Sequence, residues 1–212
     1  MSIFTRWDDV AEQVWVKQRR GAGREIADVL ASARHADQQV HPVPGNDPSA
    51  CTEQLGRSGS WADRLPHFRF DAVPNAGHEL QSEYFVPRDA GPAAIAALRA
   101  IGAELRPTLM TSELRTVAAD ALWLSPFADR DSLALHFTWQ PDPRSVAAAA
   151  ARIEEALRPF EPRPHWGKVF TPGASAAFPT PRRAEAIELI EALDPAGVFA
   201  NGWVRAEGLR SR

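Results

Sequence analysis

A single cysteine, Cys51, is all the thiol chemistry this chain carries. It excludes an internal disulfide, and the lack of any Cys/His cluster at ligand spacing argues against a metal site, so a reducing, cytoplasmic setting is the expectation. Surplus positive charge is also missing. The 24 Lys+Arg against 27 Asp+Glu give a net charge of −3 with no basic stripe, which disfavours nucleic acid as a partner. No stretch approaches the roughly 18 uninterrupted apolar residues of a membrane helix. The start, MSIFTRWDDVAEQVW, is charged from residue 6 and has no apolar core of leader length, so no targeting segment is expected there. Tyrosine occurs once, against seven tryptophans and eighteen prolines. That mix suits either an aromatic pocket or tryptophan as core filler.

What remains is an ordinary globular composition, with 44% apolar and 24% charged residues over 212 positions, long enough for one sizeable core. Residues 12–19, EQVWVKQR, alternate as a strand does, with Val14 and Val16 on one face. The Pro/Gly-rich stretch from His41 to Gly59 is too broken for a regular element and predicts an ordered loop. HFRFDAV (67–73) alternates again and stops at Pro74.

From residue 79 a longer pattern sets the fold. ELQSEYFV (79–86) predicts a strand, and residues 87–105 predict a helix, with Ile95, Leu98, Ile101 and Leu105 about one turn apart and prolines confined to its first turns. PTLMTSELRTVA (107–118) and DSLALHFTWQ (131–140) predict strands. Residues 144–160 predict a second helix after the Asp142-Pro143 start signal, and RPHWGKVF (163–170) a last strand. Strand, helix, strand, strand, helix, strand is the ferredoxin-like split βαβ plan, an α+β fold whose antiparallel sheet carries both helices on one face. N-terminal strands and a C-terminal helix (182–197) extend it. Residues 171–180 read as a linker, so the expected division is 1–170 and 171–212.

Period-two alternation then sorts the side chains. Met110 and Leu114 point to one face of their strand, and Thr111, Glu113 and Arg115 to the other. Leu133, Leu135, Phe137 and Trp139 form an apolar row, opposite Ala134, His136 and Thr138. Glu113, Arg115 and His136 therefore share the face the helices leave free; Gln81 and Glu83 can join them, and Lys168 if its register permits. The plain reading is a solvated face laced with ion pairs worth ~0–1 kcal/mol each. What sets it apart is the convergence of an acid, a guanidinium, an imidazole and an amine, a set able to hold several hydroxyls and move a proton.

Six strings, HPVPGNDPSACTEQLG, ELQSEYFVPR, TSELRTVAADALWLSP, LALHFTW, RPHWGKVFT and LDPAGVFANGW, give nearly the whole chain a resemblance to the C-terminal half of bacterial FAD-dependent alditol (xylitol) oxidases. These are related to the D-arabinono-1,4-lactone oxidases within the vanillyl-alcohol-oxidase group. The resemblance implies the cap that lies over the flavin and binds the polyol, with Glu113, Arg115, His136 and Lys168 as site residues. It implies oxidation of a terminal alcohol by FAD, with oxygen as final acceptor and hydrogen peroxide as product. Arg115 and Lys168 would stabilise the alcohol oxygen as it loses its proton, and Glu113 would bind other hydroxyls and hold Arg115. His136 and Lys168 both remain open as the proton acceptor. Trp166 stands either in the pocket wall or in packing.

Relatives are about twice as long, and their other half carries the FAD-binding domain, with a flavin-linking histidine and a serine near the substrate. No glycine-rich loop opens a helix in this sequence; GRSGSW (56–61) lacks the strand-turn-helix context. Val198 and Ala200 stand where relatives tend to carry basic residues, in a tail that in the family returns to the FAD domain. The expected partners are thus a polyol or aldonolactone and a separately supplied FAD-binding domain or subunit, with the chain inactive alone. An aldonolactone oxidase cap and a non-catalytic sugar-binding module are the alternatives.

Overall fold

The computed structural model describes residues 1–8, 10–21, 32–72, 78–174 and 182–210. Six strands, β1 (Ser2–Thr5), β2 (Gln13–Trp15), β3 (Leu80–Pro87), β4 (Leu109–Val117), β5 (Ser132–Trp139) and β6 (Arg163–Pro164), form one sheet in the order β2-β1-β4-β5-β3-β6. Every neighbouring pair is antiparallel. Strands β3 to β6 with α2 (Gly91–Ala100) and α4 (Pro143–Leu157) reproduce the split βαβ order, and β1 and β2 extend the sheet beyond β4.

Local chemistry accounts for the helices. Asp142 caps α4 by accepting from the Arg144 and Ser145 amides, and Pro143 follows in the first turn, where its missing N–H costs nothing. The α4 stripe Val146, Ala149, Ala150, Ile153 and Leu157 is buried, as are Ala94 and Leu98 of α2. They close over Tyr84 and Val86 of β3 and the β5 row of Leu133, Leu135, Phe137 and Trp139 to make the main core. The helix expected over 87–105 is divided: a 3-10 turn (Arg88–Ala90), α2, and then α3 (Gly102–Leu105).

Strand β1, too short to register as a pattern, anchors an unexpected part of that core. Just after it, Trp7 adopts φ 61° and slides under the helices, 2% exposed. Its ring stacks on Phe137 at 5.8 Å and its indole N–H donates to Ser112 Oγ at 2.7 Å. Gly102 makes room for it, because a β-carbon there would lie 2.1 Å from the Trp7 carbonyl oxygen.

Three expectations need correction. HFRFDAV forms no strand within its described residues 67–72; Phe68 makes one isolated bridge to Cys51 inside the 40–70 loop, which also contains the single turn α1 (Trp61–Arg64). That loop folds back on itself and roofs the β1–β2 end of the supposedly free face, where Phe4, Trp15 and Cys51 form a second small core with Val40 and Phe68. RPHWGKVF is a strand only at Arg163–Pro164. The His165 and Val169 amides still bond to the Glu83 and Gln81 carbonyls, at 2.9 and 2.8 Å, but residues 166–168 loop out between them in a turn closed by Lys168 N–H to His165 O. The 12–19 segment contracts to Gln13–Trp15, with Trp15 rather than the valines as its buried residue. Of the expected 171–180 linker, residues 175–180 lie outside the described residues; α5 (Arg183–Leu193) and α6 (Gly202–Ala206) follow.

Gly102→Ala forces the Trp7 backbone to move and should cost roughly 1–3 kcal/mol. Gly202→Ala, whose new β-carbon meets nothing within 4 Å, should leave stability the same or slightly higher. Urea-unfolding midpoints of the two variants check the contrast, and equal midpoints would mean Trp7 does not sit against α3.

Candidate functional site

The register of the three central strands builds the site. Glu113 of β4 pairs with His136 of β5, which pairs with Glu83 of β3. Alternation sends all three side chains to the face opposite α2 and α4. Glu83 and Glu113 are only 5% and 7% exposed, so burying them requires partners.

For Glu83 the partners are two cations. Arg115 Nη2 donates to Oε1 at 2.8 Å and Lys168 Nζ to Oε2 at 2.7 Å. Burial pushes the Glu83 carboxyl up, but Lys168, with help from Arg115, outweighs it and leaves the group below its ordinary value. For Glu113 the partner is His67, whose Nε2 lies 3.0 Å from Oε1 and 3.0 Å from Ser2 Oγ. Arg115 Nη1 stands 3.7 Å from Oε2. Burial again opposes ionisation, and the His67 hydrogen bond followed by the Arg115 charge overcomes it, bringing the carboxyl from 4.5 to about 2. His136 Nε2 faces Gln81 Oε1 at 3.2 Å. Burial first, then the Lys168 and Arg115 charges, outweigh the pull of the two carboxylates and lower this imidazole from 6.5 to about 4. It is neutral at physiological pH.

The four residues expected from the sequence thus lie in one neighbourhood. Glu113, Arg115 and His136 stand on the face the alternation gave them; Lys168 arrives by the 166–168 turn rather than by strand register. A cleft of ≈ 400 Å³ opens beside them; of the four, Arg115 lines it, together with Glu83, Phe85, Phe127, His165 and Trp166, while Glu113, His136 and Lys168 lie outside its lining. Trp166 both walls this cleft and packs, since its indole donates to the Leu124 carbonyl at 2.9 Å. Two residues gain weight that sequence reasoning did not give them. Glu83 was on the correct face but not singled out, and His67, read as part of a strand, enters from the loop with no local signal to reveal it. Two ionised acids against two cations suit an uncharged ligand rich in hydroxyls: Arg115 and Lys168 donate, Glu113 accepts, and neutral His136 can do either.

The shifts act together on stability. Between pH 6.5 and about 4 the unfolded chain protonates His136 while the folded chain does not, and Glu113 behaves likewise between 4.5 and about 2. Stability contributed by Glu113 is complete above 4.5 and lost as pH falls through its folded value, so unfolding should become easier throughout the descent. Urea midpoints measured against pH test this: His136→Gln should flatten the limb between 6.5 and 4, and an unaltered limb would assign it to another group.

Comparison with known proteins identifies the family. A family model described as D-arabinono-1,4-lactone oxidase matches residues 77–207, a span from β3 to α6 that includes Glu83, Glu113, Arg115, His136 and Lys168. An alditol oxidase of Streptomyces sp. (strain IKD472 / FERM P-14339) is 46% identical over 207 residues, which cover 97% of this chain and 49% of that protein. The chain therefore spans about half the length of the curated relative it matches. No helix among the described residues is long and apolar enough to cross a membrane. With the family match covering more than half of its residues and the relative aligning along almost all of it, the chain belongs to the D-arabinono-1,4-lactone oxidase family.

Proposed function

We propose that residues 1–170 form the substrate-binding cap of an FAD-dependent alditol oxidase, which oxidises a primary alcohol of a polyol at the expense of oxygen, and that 171–212 is the segment through which the cap meets the FAD-binding domain. The observation that carries this reading is the charge-balanced acid and cation set around His136, in a chain 46% identical to an alditol oxidase. Glu113 accepts hydrogen bonds from the polyol. Arg115 and Lys168 stabilise negative charge on the alcohol oxygen as its proton leaves. His136 takes the proton: it is already neutral above about pH 4, whereas the Lys168 amine is occupied in a 2.7 Å bond to Glu83.

FAD would accept the hydride from the alcohol carbon. The N-termini of the two helices packed on the sheet do not fit its pyrophosphate. The α4 N-terminus is filled by the Asp142 carboxylate, and α2 opens on Gly91-Pro92 with no cradle of free amides before it. Binding of the flavin therefore falls to a partner domain. The purified 212-residue polypeptide should be colourless and consume no oxygen with xylitol or sorbitol; a yellow, active preparation would overturn this division of labour.

Assembled with an FAD-binding domain, the protein should lose roughly 10²-fold or more in turnover on Glu113→Ala or Arg115→Ala, and nothing measurable on substitution of His35, which lies in an exposed loop. With His136 as acceptor, kcat/KM should hold down to about pH 4–5 rather than fall near 6.5. The family description favours one further reading, oxidation of an aldonolactone, and parallel oxygen-uptake assays with xylitol, sorbitol and a pentono-lactone separate the two. Polyol binding by calorimetry together with failure of every oxidation assay would instead support a non-catalytic sugar-binding module.

A further inference from the structure

Glu83 has a different relation to the site from the residues that would touch a polyol. We propose that it is the positioning residue of the site, a buried carboxylate that clamps Arg115, in the wall of the cleft, beside Lys168 and supplies the counter-charge both cations need. The proposal rests on the polyol-binding reading above and assigns to that site a residue whose work is done through two others.

Geometry carries the argument. Glu83 sits in β3, flanked by β5 and β6, opposite His136 in register and 5% exposed. Each carboxylate oxygen is taken by one cation, Arg115 on Oε1 at 2.8 Å and Lys168 on Oε2 at 2.7 Å. With one lone pair on each oxygen already taken by a cation, this carboxylate has less left to offer a proton or a hydroxyl directly. Its partners have the opposite problem. Lys168 projects from the turn outside the sheet ladder, so strand pairing does not fix its backbone as it fixes that of Glu83, and its side chain is 17% exposed. The Arg115 side chain is 40% exposed. Bonding to a residue fixed in a central strand removes that freedom before substrate arrives, the condition for an electrostatic site that need not reorganise during reaction. His136 of β5 and His165 of its own turn also feel the Lys168 charge. Among the described residues Glu83 is the carboxylate paired with Lys168, while Glu113 is engaged by His67 and Arg115.

The sequence offers a direct test, because Lys17 and Lys168 are its two lysines. Acylation of the full chain with an amine-reactive ester, read by peptide mass spectrometry, reports Lys168 with Lys17 as internal reference and requires no flavin. Glu83→Gln keeps the side-chain shape and removes the charge. It should raise Lys168 acylation roughly tenfold relative to Lys17, the factor that loss of a buried charge-assisted hydrogen bond carries. Glu83→Asp keeps the charge and should stay within about twofold. Unchanged acylation in Glu83→Gln overturns the proposal, even if the assembled enzyme oxidises polyols.

In that assembled enzyme, Glu83→Gln should reduce kcat/KM at least tenfold in the wild-type background and distinctly less when Lys168→Met is already present. Equal losses in both backgrounds would make Glu83 a stability residue and also overturn the proposal. Increased acylation in a protein that oxidises no polyol would leave the clamp standing and remove the oxidase reading.

Discussion

The alignment of Glu113, His136 and Glu83 across three adjacent strands is the constraint on which the rest depends. Residues on a strand alternate between faces, and here the helix-covered face takes Tyr84, Val86, Leu133, Leu135, Phe137 and Trp139. The polar partners of those residues have one remaining destination, the opposite face. A one-residue slip between β4 and β5 would drive Glu113 into the main core and Leu114 into the cleft region, a double penalty that fixes the register more firmly than any ion pair could. The site is in this sense a by-product of the core: the hydrophobic order of β5 determines where the charges stand.

Once there, the charges are costly. Glu83 and Glu113 are nearly excluded from water, and a buried ion pair seldom adds net stability over an apolar alternative. Their presence is better explained by what the arrangement does than by what it stabilises. Opposed in equal number, they leave no excess charge to attract an ionic ligand, while keeping donors and acceptors oriented for a neutral one. The same field acts on His136, whose imidazole is discharged by burial and by the two cations. A histidine with an ordinary pKa would spend part of its time protonated at neutral pH. This one stays neutral, with a lone pair for hydrogen bonding beside two cations.

Much of this was legible in the sequence, and the boundary is physical. The helices and β3, β4 and β5 declare themselves by periodicity because each has one buried face over several turns or pairs, and alternation alone put Glu113, Arg115 and His136 together. Short elements lack that statistical weight: β1 is four residues long, yet the chain after it places Trp7 in the core. RPHWGKVF has the composition of a strand, but its interior loops out, which only the β3 carbonyls accepting from His165 and Val169 reveal. His67 is the harder case, since its partnership with Glu113 spans the sequence from the 40–70 loop to β4 and leaves no trace in local pattern.

A distinction follows between the residues that share the site. Glu113, Arg115, His136 and Glu83 stand on the central strands of a packed sheet, and their relative positions are as rigid as the main core. Lys168 and His67 reach the same cluster from a turn and a loop, each anchored there by a carboxylate on the sheet. Trp166, in the same turn as Lys168, is in edge contact with Trp203 of α6, and Arg182, just before α5, lies over Trp123. The C-terminal helices are thus coupled to the wall of the cleft while the sheet beneath stays fixed. A displacement of α6 would reach Lys168 through Trp166 before it could disturb the Glu113 to His136 row, so the half of the site that holds the amine is the half coupled to the C-terminal helices. Glu83, bonded to Lys168 from the rigid side, is where the two halves meet.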